Sequence, residues 1–71
     1  MSRLPVMRPD AVIKCLLAHG FVFMRGRGSH RLYTKGSFAV TVAYHNKDMR
    51  VGTLRSIIRQ SGMSIEEFFK K

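Results

Sequence analysis

The fold of this 71-residue chain is decided by the stretch FVFMRGRGSHRLY, which runs from Phe21 to Tyr33. Apolar residues that favour strands stand at both ends of the stretch. Gly26 and Gly28 supply the backbone freedom that a chain reversal needs. The pattern therefore predicts a β-hairpin whose turn lies near Gly28 and Ser29.

The predicted turn leads directly into His30, and three arginines lie close to it in the sequence: Arg25, Arg27 and Arg31. An imidazole titrates near neutral pH and can move a proton, whereas clustered guanidinium groups are what a phosphate-bearing partner needs. Three roles are open for His30: a catalytic acid or base, a plain RNA contact, or a structural histidine that is hydrogen-bonded beside the turn.

The rest of the chain shows helical and strand periodicities in a simple order. The predicted elements are a helix from Pro9 that stops at Gly20, strands over 21–27, 30–35 and 38–43, a helix from Val51 that ends at Gly62, and a short helix after a capping box of Ser64 and Glu67. We expect Asn46 or Asp48 to cap the second helix. Strict alternation along the first strand places Phe23 and Arg25 on one face.

This order is typical of an α+β domain, in which a three-stranded antiparallel sheet carries its helices on one face. The opposite face is left open. We expect a single domain over residues 1–71, with residues 1–7 as a flexible N-terminal arm.

The chain carries 13 lysines and arginines against 4 acidic residues, a formal net charge of +9. Such a field attracts nucleic acid or an acidic protein, and the open sheet face is the first place to look for the binding surface. The single cysteine excludes an intrachain disulfide and fits a reducing cytosol. No apolar run approaches the ~20 residues of a membrane span, so we expect a cytoplasmic protein without a membrane partner.

A metal site is not expected from the ligand count. Cys15 and His19 are four residues apart on one helix face, but a zinc site needs three or four ligands and only His30 and His45 are left to add. The glycines before His30 do not match a dinucleotide-binding fingerprint, so no cofactor is expected either.

Four blocks of the sequence, in this order and spacing, resemble the HicA toxin family: Gly20-Phe21, Arg25–His30, His45–Asp48 and Gly52–Gln60. The resemblance covers nearly the whole chain, and the part from His45 to Gln60 is the more specific. It implies a fold like a double-stranded-RNA-binding domain, α-β-β-β-α. It also implies a toxin of a type II toxin–antitoxin pair, which acts as a ribosome-independent endoribonuclease on mRNA and is neutralised by a HicB-type antitoxin. Val51 departs from the family pattern, since many members have proline there.

The resemblance places the family's catalytic histidine at His30. The residues expected to bind RNA are Arg25, Arg27, Ser29, Arg31, Lys47, Arg55 and Arg59. A second acid/base group is not identified; the candidates are His45, Lys47 and Tyr33. The main alternative is a non-catalytic RNA-binding module. A DNA-binding helix-turn-helix that reads with residues 52–60 is disfavoured, because three central strands do not belong to that motif.

Overall fold

A computed structural model of the chain describes residues 4–70 and confirms the predicted α+β order. The elements are α1 (Pro9–Ala18), β1 (Val22–Arg27), β2 (His30–Lys35), β3 (Phe38–Ala43), α2 (Val51–Gln60) and α3 (Ile65–Phe69). The first strand begins at Val22, one residue later than predicted. Phe21 is buried instead, and its amide donates a hydrogen bond of 3.0 Å to the carbonyl of Leu16, which ties α1 to the sheet.

The three strands form one antiparallel sheet in the order β1-β2-β3. Two-residue turns, Gly28-Ser29 and Gly36-Ser37, join them. Gly28 has φ +60° and Gly36 has φ +58°. A positive φ at the first central residue is what a type II′ hairpin turn requires, and glycine adopts it without a steric penalty. The predicted turn at Gly28 and Ser29 is thus confirmed.

The helices cover only one face of the sheet, where they contact mainly β3. The core combines buried side chains from the helices and from β2 and β3, among them Val12, Leu16, Tyr33, Val40, Val42, Leu54, Ile57 and Phe68. All six residues of β1 are exposed, in contrast. The opposite face of the sheet is therefore open to a ligand, and β1 forms an uncovered edge.

A β-bulge at Met24 makes one prediction of strand facing wrong. Phe23 pairs with Tyr33 while Arg25 pairs with Leu32, so the two residues that flank Met24 face neighbouring residues of β2. Because paired residues point to the same side of an antiparallel sheet, Phe23 and Arg25 lie on opposite faces. The extra residue breaks the alternation on which the prediction depended.

The predicted cap of the second helix is also wrong. The N-cap of α2 is Arg50, which makes no side-chain capping bond. The amide of Met49 donates a hydrogen bond of 2.7 Å to the carbonyl of Met7, so the chain is still extended there and Asp48 lies too far ahead of the helix. The carboxylate of Asp48 lies 3.9 Å from Nε of Arg8 instead, and Asn46 lies farther back in the loop.

Two residues of the segment 4–7 contact the rest of the domain. Leu4 and Met7 are partly buried against the core, and Met7 accepts the bond from Met49. Residues 1–3 of the predicted arm lie outside the described part of the chain. None of the helices within residues 4–70 combines the length and the apolar character that crossing a bilayer requires.

Candidate nucleic-acid interface

The proposed catalytic histidine stands at the first position of β2, immediately after the tight turn. His30 pairs with Arg27 across the hairpin and with Ala43 on β3, and it is exposed. It shares its side of β2 with Leu32, whereas the buried Tyr33 lies on the side that the helices cover. His30 therefore points to the open face of the sheet.

A shallow groove of about 420 Å³ lies on this open face around His30. The groove is lined by Arg25, Gly26, Arg27, His30, Leu32 and Thr41. No carboxylate is among these residues, and neither Arg25 nor Arg27 has an acidic side chain within ion-pair distance among residues 4–70. The groove thus combines an accessible imidazole with guanidinium groups that are not neutralised, which suits a phosphate-bearing ligand.

The bulge at Met24 is what brings Arg25 to the groove. In a strand without a bulge, Arg25 and Phe23 would lie on the same face of the sheet. That face is the one covered by the helices, where the Phe23 ring makes an edge-to-face contact with Tyr33 at 5.6 Å between centroids. With the bulge, Arg25 pairs with Leu32 on the His30 face. Bulges that re-aim a side chain are frequent near functional sites.

The structure does not bring Arg31 to the groove. Arg31 pairs with Val42, which is fully buried, so it points to the helix-covered side. Its guanidinium carbon lies 4.0 Å from the centroid of the Tyr44 ring, a cation–π contact. Ser29 lies in the turn, and its carbonyl accepts a hydrogen bond of 2.6 Å from the Tyr44 amide.

The remaining predicted RNA contacts lie outside the groove. Lys47 is exposed in the loop after β3, where its amide donates a hydrogen bond of 3.1 Å to Nδ1 of His45. Arg55 and Arg59 are exposed on α2, which buries Leu54 and Ile57 in the core. These two arginines belong to the helix layer, away from the open face.

The three candidates for a second acid/base group differ in accessibility. Tyr33 is 3% exposed and belongs to the core, so its ring is not available from the groove. His45 and Lys47 are exposed in the loop that begins beside Ser29. Of the three, only these two are accessible to a ligand.

Two groove residues, Leu32 and Thr41, did not emerge from the sequence. They pair with each other across β2 and β3, and both lie on the His30 face. The alternation of β2 was a signal for Leu32, because it repeats His30 at a spacing of two. Placing Thr41 on this face requires the register between β2 and β3, because Thr41 is opposite Leu32 only in that register. A two-residue turn between β2 and β3 fixes the register.

No three metal-ligating residues among residues 4–70 come together as a cluster. Cys15 and His19 do meet at the end of α1, but through the backbone: Nδ1 of His19 donates a hydrogen bond of 2.7 Å to the carbonyl oxygen of Cys15.

Comparison with known proteins agrees with this architecture. Residues 10–63 match the family model described as the HicA toxin of bacterial toxin–antitoxin systems. No curated protein matches the chain significantly. The matched segment contains α1 except for its first residue, the whole sheet, the groove and α2, and it spans well over half of the chain. The chain therefore belongs to the HicA family and is a toxin of a bacterial toxin–antitoxin system.

Proposed function

We propose that this toxin is a ribosome-independent endoribonuclease that cleaves mRNA in the cytoplasm and uses His30 to transfer protons. One observation carries the proposal: the exposed imidazole of His30 lies in a groove on the open face of the sheet that Arg25 and Arg27 also line. The +9 charge supports RNA as the ligand, because phosphate contacts supply most of the affinity of such proteins.

The reaction that suits these groups is attack of a ribose 2′-hydroxyl on the adjacent phosphorus. The bond from O2′ to phosphorus forms, the bond from phosphorus to O5′ breaks, and the products carry a 2′,3′-cyclic phosphate and a 5′-hydroxyl. His30 either accepts the proton of the 2′-hydroxyl or donates one to the leaving O5′. Arg25 and Arg27 stabilise the negative charge that develops on the phosphorus-bound oxygens. The scheme uses no cofactor.

Exchanging His30 for alanine tests the catalytic role. Cleavage of an end-labelled mRNA fragment by His30→Ala should fall by about 10²-fold or more, the usual contribution of a positioned acid or base. RNA binding should persist, because Arg25 and Arg27 remain. Unchanged cleavage in a variant that unfolds like the wild type would remove His30 from the chemistry.

The other accessible histidine provides the matched comparison. His45→Ala should retain most of the activity if His45 only shapes its loop, and it should lose activity to a similar extent as His30→Ala if it is the second acid/base group. An RNA with a single 2′-deoxyribose at the cleavage site should resist cleavage at that site. Cleavage there would exclude the 2′-hydroxyl mechanism.

A non-catalytic RNA-binding module remains the alternative because the same groove would bind phosphates without any reaction. This alternative predicts salt-sensitive RNA binding by the wild type and no product under any condition. A gel-shift titration beside the cleavage assay separates the two functions.

We further propose that the antitoxin of this pair is of the HicB type and that it inhibits the toxin by covering the groove. The cluster of unneutralised arginines supports an acidic contact surface on the partner. Arg25→Gln together with Arg27→Gln should weaken the complex with the protein encoded by the neighbouring reading frame. A structure of that complex with His30 fully open would contradict inhibition by occlusion.

A further inference from the structure

An exposed aromatic ring beside the Gly28-Ser29 turn is already stacked with a cation. The ring is that of Tyr44, which is 39% exposed, and the guanidinium carbon of Arg31 lies 4.0 Å from its centroid. This pair lies outside the groove around His30. A partly exposed aromatic plane that a guanidinium group holds in place is a ready surface for a planar ligand.

The backbone fixes this stack close to His30. Tyr44 follows Ala43, which pairs with His30, and the Tyr44 amide donates a hydrogen bond of 2.6 Å to the carbonyl of Ser29. The pairing of β3 thus continues by one residue, up to the turn. Arg31 follows His30 on β2, so its side chain emerges on the other side of the sheet.

A strand of RNA can reach both places by passing over the end of the sheet. The turn at this end contains Gly28, where even an added Cβ would meet no atom within 4 Å. Because Gly28 has no side chain, nothing at this position obstructs an RNA strand that crosses the end of the sheet. The loop after Tyr44 carries the exposed Lys47. The end of the hairpin is therefore both open and positively charged.

We propose that the Tyr44–Arg31 stack is a subsite for an unpaired RNA base close to the phosphodiester bond at His30. Unpaired bases bind proteins by stacking on aromatic rings and arginine planes, and every base has a face that can stack. The inference rests on RNA being the ligand, as in the proposed function. The subsite gives Tyr44 a role in binding and positioning the RNA, without a part in the chemical step.

The tyrosine emission of the wild-type protein offers a direct measurement. The chain has two tyrosines and no tryptophan, and Tyr33 is buried in the core. We would titrate the protein with a short unpaired RNA whose riboses are 2′-O-methylated, so that the 2′-hydroxyl reaction cannot occur. Stacking on Tyr44 should quench the emission as the RNA binds. Unchanged emission at saturation, with binding verified by the anisotropy of a labelled RNA, would overturn the proposal.

Variants of Tyr44 separate stacking from charge. Tyr44→Leu should weaken binding of the same RNA at least about fivefold, the low end for losing one base–aromatic stack. The dependence of affinity on salt should keep its slope, because no phosphate contact is lost. Tyr44→Phe should retain the affinity of the wild type. Equal affinities of the leucine and wild-type proteins would overturn the proposal.

Phe38 gives the matched control. It is 46% exposed and lies at the first position of β3, at the other end of the strand from Tyr44. Phe38→Leu makes the same kind of change and should leave RNA affinity unaltered. A loss as large as that of Tyr44→Leu would mean that exposed aromatic residues matter only in a general way and would contradict a specific subsite.

The outcome is distinguishable from that of the catalytic proposal. His30→Ala should lose cleavage and keep the quenching, whereas Tyr44→Leu should raise KM and leave kcat nearly unchanged on a cleavable RNA. If RNA quenches the tyrosine emission of the wild type but is not cleaved, the subsite is supported and the nuclease activity is refuted. If the wild type cleaves RNA without any quenching, the nuclease activity is supported and the subsite is refuted.

Discussion

Gly62 needs glycine for two reasons at once: its backbone has a positive φ, and a neighbouring side chain leaves no room for a Cβ. Gly62 follows α2 with φ +76°, and the ring of Phe38 lies so close that it would clash with a Cβ added there. Gly20 follows α1 with φ +91°, but its closest neighbour is the flexible side chain of Lys35. Both glycines end a helix in a conformation that L-residues adopt reluctantly.

Exchanging each of these glycines for alanine should separate the two demands. Gly20→Ala should lower the free energy of unfolding by about 1 kcal/mol, the usual cost of the left-handed conformation. Gly62→Ala should cost more, because the Phe38 ring must also leave its place. Urea unfolding of both variants makes the comparison, and adding Phe38→Leu should shrink the difference. Equal losses in the two single variants would show that the ring moves away freely.

Among single residues, the position of His30 was predictable and its surroundings were predictable only in part. A glycine-rich turn followed by a histidine fixes where the imidazole stands. Arg31 is as close to His30 in sequence as a residue can be, yet its side chain emerges on the other face and stacks on Tyr44. Thr41 is far away in sequence and still lines the groove. Such neighbours follow from strand register, which distance along the chain does not reveal.

At the level of elements, the strands and helices were predicted almost to the residue, because the hydrophobic period agrees with the glycines that form turns and end helices, although the cap predicted for α2 was wrong. The bulge at Met24 was not predicted, since an apolar residue in a run of apolar residues gives no local sign of being the extra one. The bulge decides that Arg25 lies on the same face as His30. The set of residues that line the groove therefore could not be predicted from a sequence pattern alone.

The capping box of α3 makes one part of the stability depend on pH. The backbone amide of Ser64 donates a hydrogen bond of 2.9 Å to Glu67, and the Ser64 side chain accepts one of 3.1 Å from the Glu67 amide. The bond that the Ser64 amide donates to the carboxylate, and then an interaction of the Ser64 side chain with the same carboxylate, lower the pKa of Glu67 below its usual value. A lowered pKa in the folded state stabilises the fold above the unfolded-state pKa, and this stabilisation is lost as the pH falls through the folded-state pKa.

Glu67→Gln should therefore weaken the loss of stability that acidification causes. The measurement is thermal unfolding from neutral pH down to about pH 3, across the range in which carboxylates titrate. Glu66→Gln removes a neighbouring carboxylate outside the capping box and serves as the control. Ser64→Ala should lower the free energy of unfolding by about 1 kcal/mol at neutral pH, as is usual for a lost N-cap. Identical pH profiles for Glu67→Gln and the wild type would contradict the role of the capping box.

The whole molecule carries its positive charge on more than one side. Arg25 and Arg27 lie at the groove, whereas Arg55 and Arg59 are exposed on α2 in the helix layer. The net charge follows from the composition alone. The division of the arginines between the two sides required the sheet register and the packing of α2.

Exchanging one arginine on each side should show which side contacts RNA. Arg27→Gln should weaken RNA binding, reduce the slope of its salt dependence by about one, and slow cleavage at saturating RNA. Arg59→Gln should slow association at low salt, through the loss of one charge, and leave cleavage at saturating RNA unchanged. Equal effects on cleavage would mean that the RNA also contacts α2.

The uncovered edge strand β1 also affects how the isolated toxin behaves in concentrated solution. Val22, Phe23 and Met24 are each more than half exposed, on a strand whose outer backbone groups have no neighbouring strand. Mutual repulsion between highly cationic copies keeps these adhesive edges apart, and added electrolyte weakens that repulsion. We therefore expect copies of the isolated toxin to associate increasingly as the salt concentration of the solution rises.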